Sequence, residues 1–174
     1  MYKIEKGTAA DIDELEQLYN ELNDHLEATI NYPGWIKGIY PVREDAVKGI
    51  GCGALFVLRI EGRIAGSIIL SHEPEEAYTQ IRWGIEADYA DILVMHTFVV
   101  HPLFMKQGVG SALLRFAEQY GRQEGMKAIR LDVSIHNAPA IAAYEKHGYR
   151  YVGTVDLGLN YPHLVWFRLY EQLL

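Results

Sequence analysis

HTFVVHPLFMKQGVGSALL, His96 to Leu114, decides how this chain of 174 residues is read. An apolar run from Asp91 to Val100 predicts a strand that stops at His101-Pro102. After Gly108 a different period begins: Val109, Ala112, Leu113, Phe116, Ala117 and Tyr120 fall on one face of an amphipathic helix. Both faces of the strand read as apolar, with Ile92, Val94, Phe98 and Val100 on one and Leu93, Met95 and Val99 on the other. A strand of that kind lies inside a sheet covered on both sides. Strand, polar elbow and glycine-opened helix together aim main-chain N–H groups and the positive helix end at one point, an arrangement suited to an anion and above all to phosphate. The glycines let the anion approach the backbone without a Cβ between them.

Working outward, Tyr2 to Glu5 predicts a first strand, and Thr8-Ala9-Ala10-Asp11 a capping box with Asp in the Glu position. Ile12, Leu15, Leu18, Tyr19, Leu22 and Leu26 then form one helical face. From Thr29 to Pro41 the pattern breaks at Pro33-Gly34 and Gly38, yet Tyr32, Trp35, Ile36 and Tyr40 are large and apolar. Aromatics in such a loop form a pocket wall or pack the loop onto the core. A short helix follows over Glu44 to Ile50, then a hairpin of Ala54–Ile60 and Ile64–Leu70 about Glu61-Gly62-Arg63. Glu73 to Asp88, with Tyr78 and Trp83, is either a connecting loop or a second wall. Beyond the central helix come a strand at Ala128–Val133, a helix at Pro139–Lys146 introduced by Asn137 and ended by Gly148, and strands at Tyr149–Val155 and Leu164–Tyr170. The order is mixed α+β and not doubly wound, and it fits one domain over residues 1–174.

Composition narrows the function classes. Hydrophobic residues make up 49% of the chain, enough for a core of ordinary size. The single cysteine, Cys52, leaves no disulfide framework and favours a reducing, cytoplasmic setting; between Gly51 and Gly53 it reads as a small residue near a turn. No apolar run reaches the roughly 18 residues of a membrane span, and the start MYKIEKGTAADIDE is not a signal peptide, so no membrane is expected. A net charge of −7 argues against nucleic acid as a partner; it agrees with a cationic small-molecule substrate and equally with plain solubility.

A dinucleotide fold is the first alternative, since Asp132 follows Gly108-x-Gly110 at the end of the next strand. It fails because the glycine turn does not directly follow its strand and because Leu113 stands at the third glycine position. A second run, Asn137-Ala-Pro-Ala-Ile-Ala-Ala-Tyr144-Glu-Lys-His-Gly148-Tyr149, completes a different pattern. Val100-His101-Pro102 with Met105-Lys106-Gln107-Gly108-Val109-Gly110, and then Asn137, Ala140, Tyr144, Gly148 and Tyr149, resemble the two motifs of the GNAT superfamily of acetyl-CoA-dependent N-acetyltransferases. The element order agrees along the whole chain. The resemblance implies a mainly antiparallel central sheet of about seven strands flanked by about four helices. Dimers are frequent in that family, so a homodimer is a further expectation.

The resemblance also implies roles. The main chain of Phe98, Val99 and Val100 would pair with the pantetheine arm and polarise the thioester; Lys106, Gln107, Gly108, Val109, Gly110 and Ser111 would cradle the diphosphate; Asn137 would touch the pantetheine region or simply cap its helix. Tyr144 would be the general acid for the departing thiolate, against the alternative of a core aromatic. His96 reads as sharing a face with Val94 and Phe98, where an imidazole is costly unless hydrogen-bonded. The run His96 to His101 resembles the arylalkylamine branch, in which the earlier histidine is the general base; a structural histidine is the other reading. Tyr32, Trp35 and Tyr40 are candidate acceptor contacts. No metal is expected, because His96 and His101, five apart on a strand, would point to opposite faces. Met105 stands where the family carries Gln or Arg, which should weaken coenzyme affinity modestly. A small-molecule amine is the expected acceptor; a protein N-terminus or lysine, or mere acyl-CoA binding without catalysis, are the alternatives.

Overall fold

A computed structural model describes Met1 to Leu174. Seven strands form a mixed, mainly antiparallel sheet accompanied by four helices: β1 Tyr2–Lys6, α1 Ile12–Ala28, α2 Arg43–Gly51, β2 Leu55–Ile60, β3 Arg63–Ser71, β4 Ile92–Val100, α3 Val109–Gln123, β5 Ala128–Ser134, α4 Ala138–Lys146, β6 Arg150–Asp156 and β7 Trp166–Leu173. No helix is long and apolar enough to cross a membrane. The expected α+β class and element order hold. Two compact units divide the chain, and both β4 and α3 contribute to each.

The first unit takes in residues 1–31, 35–71 and 96–116. Its strands β1 and β2 pair antiparallel from Tyr2 with Ile60 to Lys6 with Phe56, and β2 pairs antiparallel with β3. Leu15, Leu18, Tyr19, Leu22 and Leu26 of α1 bury the stripe that the sequence period marks, against Leu55, Val57, Ile64 and Val99. The Thr8 box closes as read, the Thr8 N–H donating to Asp11 Oδ2 at 2.8 Å, but the turn it caps is a 3₁₀ turn at Ala9–Asp11 ahead of α1. Gly66 explains how α3 reaches the sheet. A Cβ there would lie 2.8 Å from the Val99 carbonyl oxygen and 2.9 Å from Val109 Cγ1, so only glycine admits the helix at this depth.

The second unit takes in residues 32–34, 72–95 and 117–174. Here β4 and β5 run parallel, with Ile92 opposite Ala128, while β7 pairs antiparallel with both β5 and β6. The segment from Glu73 to Asp88 is a cover for the core. Ala77 and Tyr78 bury themselves on Ile92, Val94, Ala128, Val155 and Leu169, and Tyr78 Oη donates to Asp132 Oδ2 at 2.7 Å. Arg130 holds it in place: Nε donates to Glu171 Oε2 at 2.9 Å, a second nitrogen to the Ile85 carbonyl at 2.8 Å, and the guanidinium stacks 4.3 Å from the Trp83 ring centre. A buried arginine with both a carboxylate and a carbonyl in reach is satisfied, which is the condition for its burial.

Strand β4 departs from the regular alternation the sequence suggests. Thr97 has φ 46°, the left-handed region, which a β-branched residue enters at a cost of about 1–3 kcal/mol. Before it, odd-numbered Leu93 faces Gly121 of α3, a built Cβ there lying 3.3 Å from Leu93 Cδ1; after it, even-numbered Phe98 and Val100 face Gly110 of the same helix stripe, at 3.4 and 3.7 Å. A bulge at Thr97 therefore swaps the faces. The expected common face of Val94 and Phe98 does not exist, and His96 cannot share a face with both. The opposite-face argument against a His96–His101 pair lapses with it.

Candidate functional site

The elbow at the end of β4, where an anion cradle is expected, lies within the first unit. The His101 N–H donates to Ala65 O at 2.9 Å, which fixes the strand end, and Pro102–Phe104 makes one 3₁₀ turn. His101 is buried and both its ring nitrogens are engaged. Nδ1 accepts the Leu103 N–H at 3.1 Å, and Nε2 lies 2.8 Å from Glu21 Oε2 on α1. With a lone pair required at Nδ1, the ring hydrogen sits on Nε2 and points at the carboxylate. This pairing was invisible in sequence, since nothing in the spacing of residues 21 and 101 announces it.

Past the turn, the backbone winds left-handed at Lys106 (φ 60°) and again at Gly108 (φ 83°). Two such residues beside a helix start turn successive N–H groups toward one concave side. The first i→i−4 bond of α3 runs from Ala112 N to Gly108 O, so the amides of Val109, Gly110 and Ser111 precede the ladder. Lys106, Gln107 and Gly108 are exposed, whereas Val109 anchors the helix in the core. The Gln107 side chain is spent on the elbow itself, donating to the Leu103 carbonyl at 2.8 Å. Met105 packs its thioether onto the buried cluster of α1 and β2. Gly110 differs from Gly66: a Cβ there would meet Phe98 and Val100 only at ordinary contact distances, so the protein's own packing leaves that position room for a side chain.

The loop after α1 is organised by side chains. Within the first unit, Asn31 Nδ2 donates to Trp35 O at 2.7 Å, Trp35 packs on the core and meets Tyr40 edge-on with centroids 5.3 Å apart, and buried Asn23 donates to Tyr40 O at 3.2 Å. The Tyr40 hydroxyl lies 2.8 Å from Thr97 Oγ1. Of the three aromatic residues expected at the acceptor, Trp35 and Tyr40 are thus committed to internal contacts, and Tyr32 is exposed. Within the second unit, the turn at Pro33-Gly34 meets the β6–β7 connection, where His163 Nε2 lies 3.1 Å from the Gly34 carbonyl.

Also in the second unit, Asn137 caps α4, its Oδ1 accepting the Ala140 N–H at 3.4 Å. Tyr144, about two turns along, is buried with its ring 5.7 Å from that of Tyr149 and 6.4 Å from that of Tyr170. The Tyr170 hydroxyl donates to Glu145 at 2.7 Å, whereas the Tyr149 hydroxyl is buried without a partner. Burial pushes the Tyr149 phenol well above its ordinary value of 10, and the nearness of Tyr144 and Glu118 adds to the shift. A separate groove of about 500 Å³ in this unit is bounded by Ile81, Trp83, Ile85 and Arg130, the same groups that hold the 73–88 cover in place.

Comparison with known proteins identifies the family and the fold. The model of the acetyltransferase (GNAT) family matches residues 15–149. An uncharacterized N-acetyltransferase, YhfO of Bacillus subtilis, is 35% identical over 72 residues, 41% of this chain and 48% of that protein. An uncharacterized N-acetyltransferase of Methanocaldococcus jannaschii, MJ1207, is 24% identical over 94 residues, 54% of this chain. The matched segments thus span 38% and 48% of these curated relatives' own lengths. The crystal structure of a GNAT-family acetyltransferase from Streptococcus agalactiae superposes with a TM-score of 0.77 at 22% identity, covering 99% of this chain and 95% of that one, which establishes the fold.

Proposed function

Given that the chain belongs to the acetyltransferase (GNAT) family, we propose that it moves an acetyl group from acetyl-CoA to the primary amine of a small molecule. The observation that carries this is the cradle: two left-handed residues, Lys106 and Gly108, running into a helix whose first amides precede its hydrogen-bond ladder. The amides of Val109, Gly110 and Ser111 receive the diphosphate, with Lys106 supplying charge. That Gly110 has room for a Cβ against the protein, yet carries none, fits a ligand drawn close to the backbone. The pantetheine arm pairs with the main chain of Phe98–Val100, and Asn137 is the further residue that the family pattern assigns to it.

In the reaction the ammonium gives a proton to His96, directly or through water, and the free amine attacks the thioester carbonyl. A main-chain N–H near Val99 stabilises the oxyanion. As the C–S bond breaks, Tyr144 protonates the leaving sulfur, and the second proton of the amine nitrogen passes, directly or through water, to the Tyr144 phenolate. No step of the proposed reaction uses a metal ion. The single cysteine supports a cytoplasmic site of action.

The test is release of free thiol from acetyl-CoA with a panel of polyamines, arylalkylamines, amino acids, aminoglycosides and peptides. Turnover with one class of small amine is expected, and Tyr144→Phe should lower kcat by roughly 10²- to 10⁴-fold. His96→Ala should flatten the acid limb of the pH–rate profile. Tight acetyl-CoA binding with no turnover on any amine, or full activity in Tyr144→Phe, would overturn the reading.

A further inference from the structure

Thr97 occupies a backbone conformation that a β-branched residue avoids, and it does so in the middle of the strand that leads into the cradle. Something must hold it there. Its Oγ1 meets the Tyr40 hydroxyl at 2.8 Å across 57 residues of sequence. Tyr40 is itself fixed from several sides. Its carbonyl accepts from Asn23, its N–H donates to Ile36 O at 3.1 Å, and its ring stands edge-on to Trp35, which is seated on the core. Thr97 is 6% exposed and Tyr40 is half-buried, so the bond is partly shielded from competing water.

We propose that Tyr40 is a positioning residue, whose hydroxyl holds Thr97 left-handed and thereby sets the main chain of Phe98 and Val99. This rests on the acetyl-transfer reading, because that main chain is where the thioester is placed. Tyr40 acts through Thr97, not on the acceptor as the loop's composition suggested. The connection also ties the loop of residues 29–42 to the strand.

Two measurements on the intact protein decide it. Tyr40→Phe should lower kcat roughly tenfold, the effect of one hydrogen bond, while KM for acetyl-CoA stays within about twofold. In the same variant the amides of Phe98 and Val99 should exchange with deuterium faster than in wild type. Thr97→Gly accepts φ 46° without a Cβ penalty, so in that background Tyr40→Phe should cost less than about twofold. Equal losses in both backgrounds would mean that Tyr40 touches the acceptor directly, and would overturn the proposal. Unchanged exchange at Phe98 and Val99 would overturn it too, even if Thr97→Gly proves inactive. Absence of turnover in wild type sinks the transfer reading alone, since the exchange comparison still tests the Tyr40–Thr97 bond.

Discussion

The elbow of residues 101–111 and the loop of residues 29–42 are both short, both irregular and both attached to the same core, yet they are built on opposite principles. The elbow is a main-chain object. Its shape comes from left-handed Lys106 and Gly108 and from the start of α3, and its side chains mostly serve the elbow itself: His101 caps Leu103, Gln107 bonds the Leu103 carbonyl and Met105 packs inward. The loop is a side-chain object, held by Asn31 to Trp35, Asn23 to Tyr40 and Tyr40 to Thr97. On the proposed reading, the main-chain elbow takes the coenzyme and the side-chain loop borders the acceptor.

The contrast is broken most easily at Gly108. Valine there must adopt φ 83°, at about 1–2 kcal/mol for the left-handed turn before any clash with ligand. KM for acetyl-CoA should rise roughly 10- to 100-fold, with kcat at saturation little changed. Initial rates against coenzyme concentration check this; an unchanged KM would show that side chains carry the diphosphate after all.

The loop should fail differently. Asn23→Ala leaves the part-buried Tyr40 carbonyl without its donor, a loss of about 1 kcal/mol. Thermal unfolding should shift down accordingly, and KM for the amine should rise several-fold while coenzyme affinity measured by calorimetry stays put. Equal damage to both ligands would mean the two regions are one structure energetically.

The same division explains what the sequence disclosed. Main-chain shape leaves a residue signature, so Gly108, Gly110 and the 3.6-residue stripe of α3 were readable, as were the seven strands and four helices to within a residue or two at most ends. Long-range side-chain pairs leave none. Glu21 with His101, Arg130 with Glu171 and Tyr40 with Thr97 each join residues tens of positions apart, and no local pattern distinguishes them from surface charge or loop aromatics. The bulge was hidden for a related reason: threonine is a poor left-handed residue, so a tertiary contact, not propensity, put it there. Gly66 was the missed warning, since a lone glycine inside a strand signals a close approach.

The finest test lies at Met105, where the resembling family carries Gln or Arg. Were the elbow dependent on that side chain, its loss would be severe and restoring it decisive. The structure argues otherwise, because Met105 is seated on the α1–β2 cluster and the amides that follow are fixed independently by Gly108 and the helix start. Met105→Gln therefore exchanges a packed thioether for an amide that must leave the core to reach a phosphate. Stability should fall by about 1 kcal/mol, and acetyl-CoA affinity should improve by less than about threefold. A gain of thirtyfold or more in titration calorimetry would mean that the cradle lacks a side chain it needs, and that its main chain is the lesser part of the site.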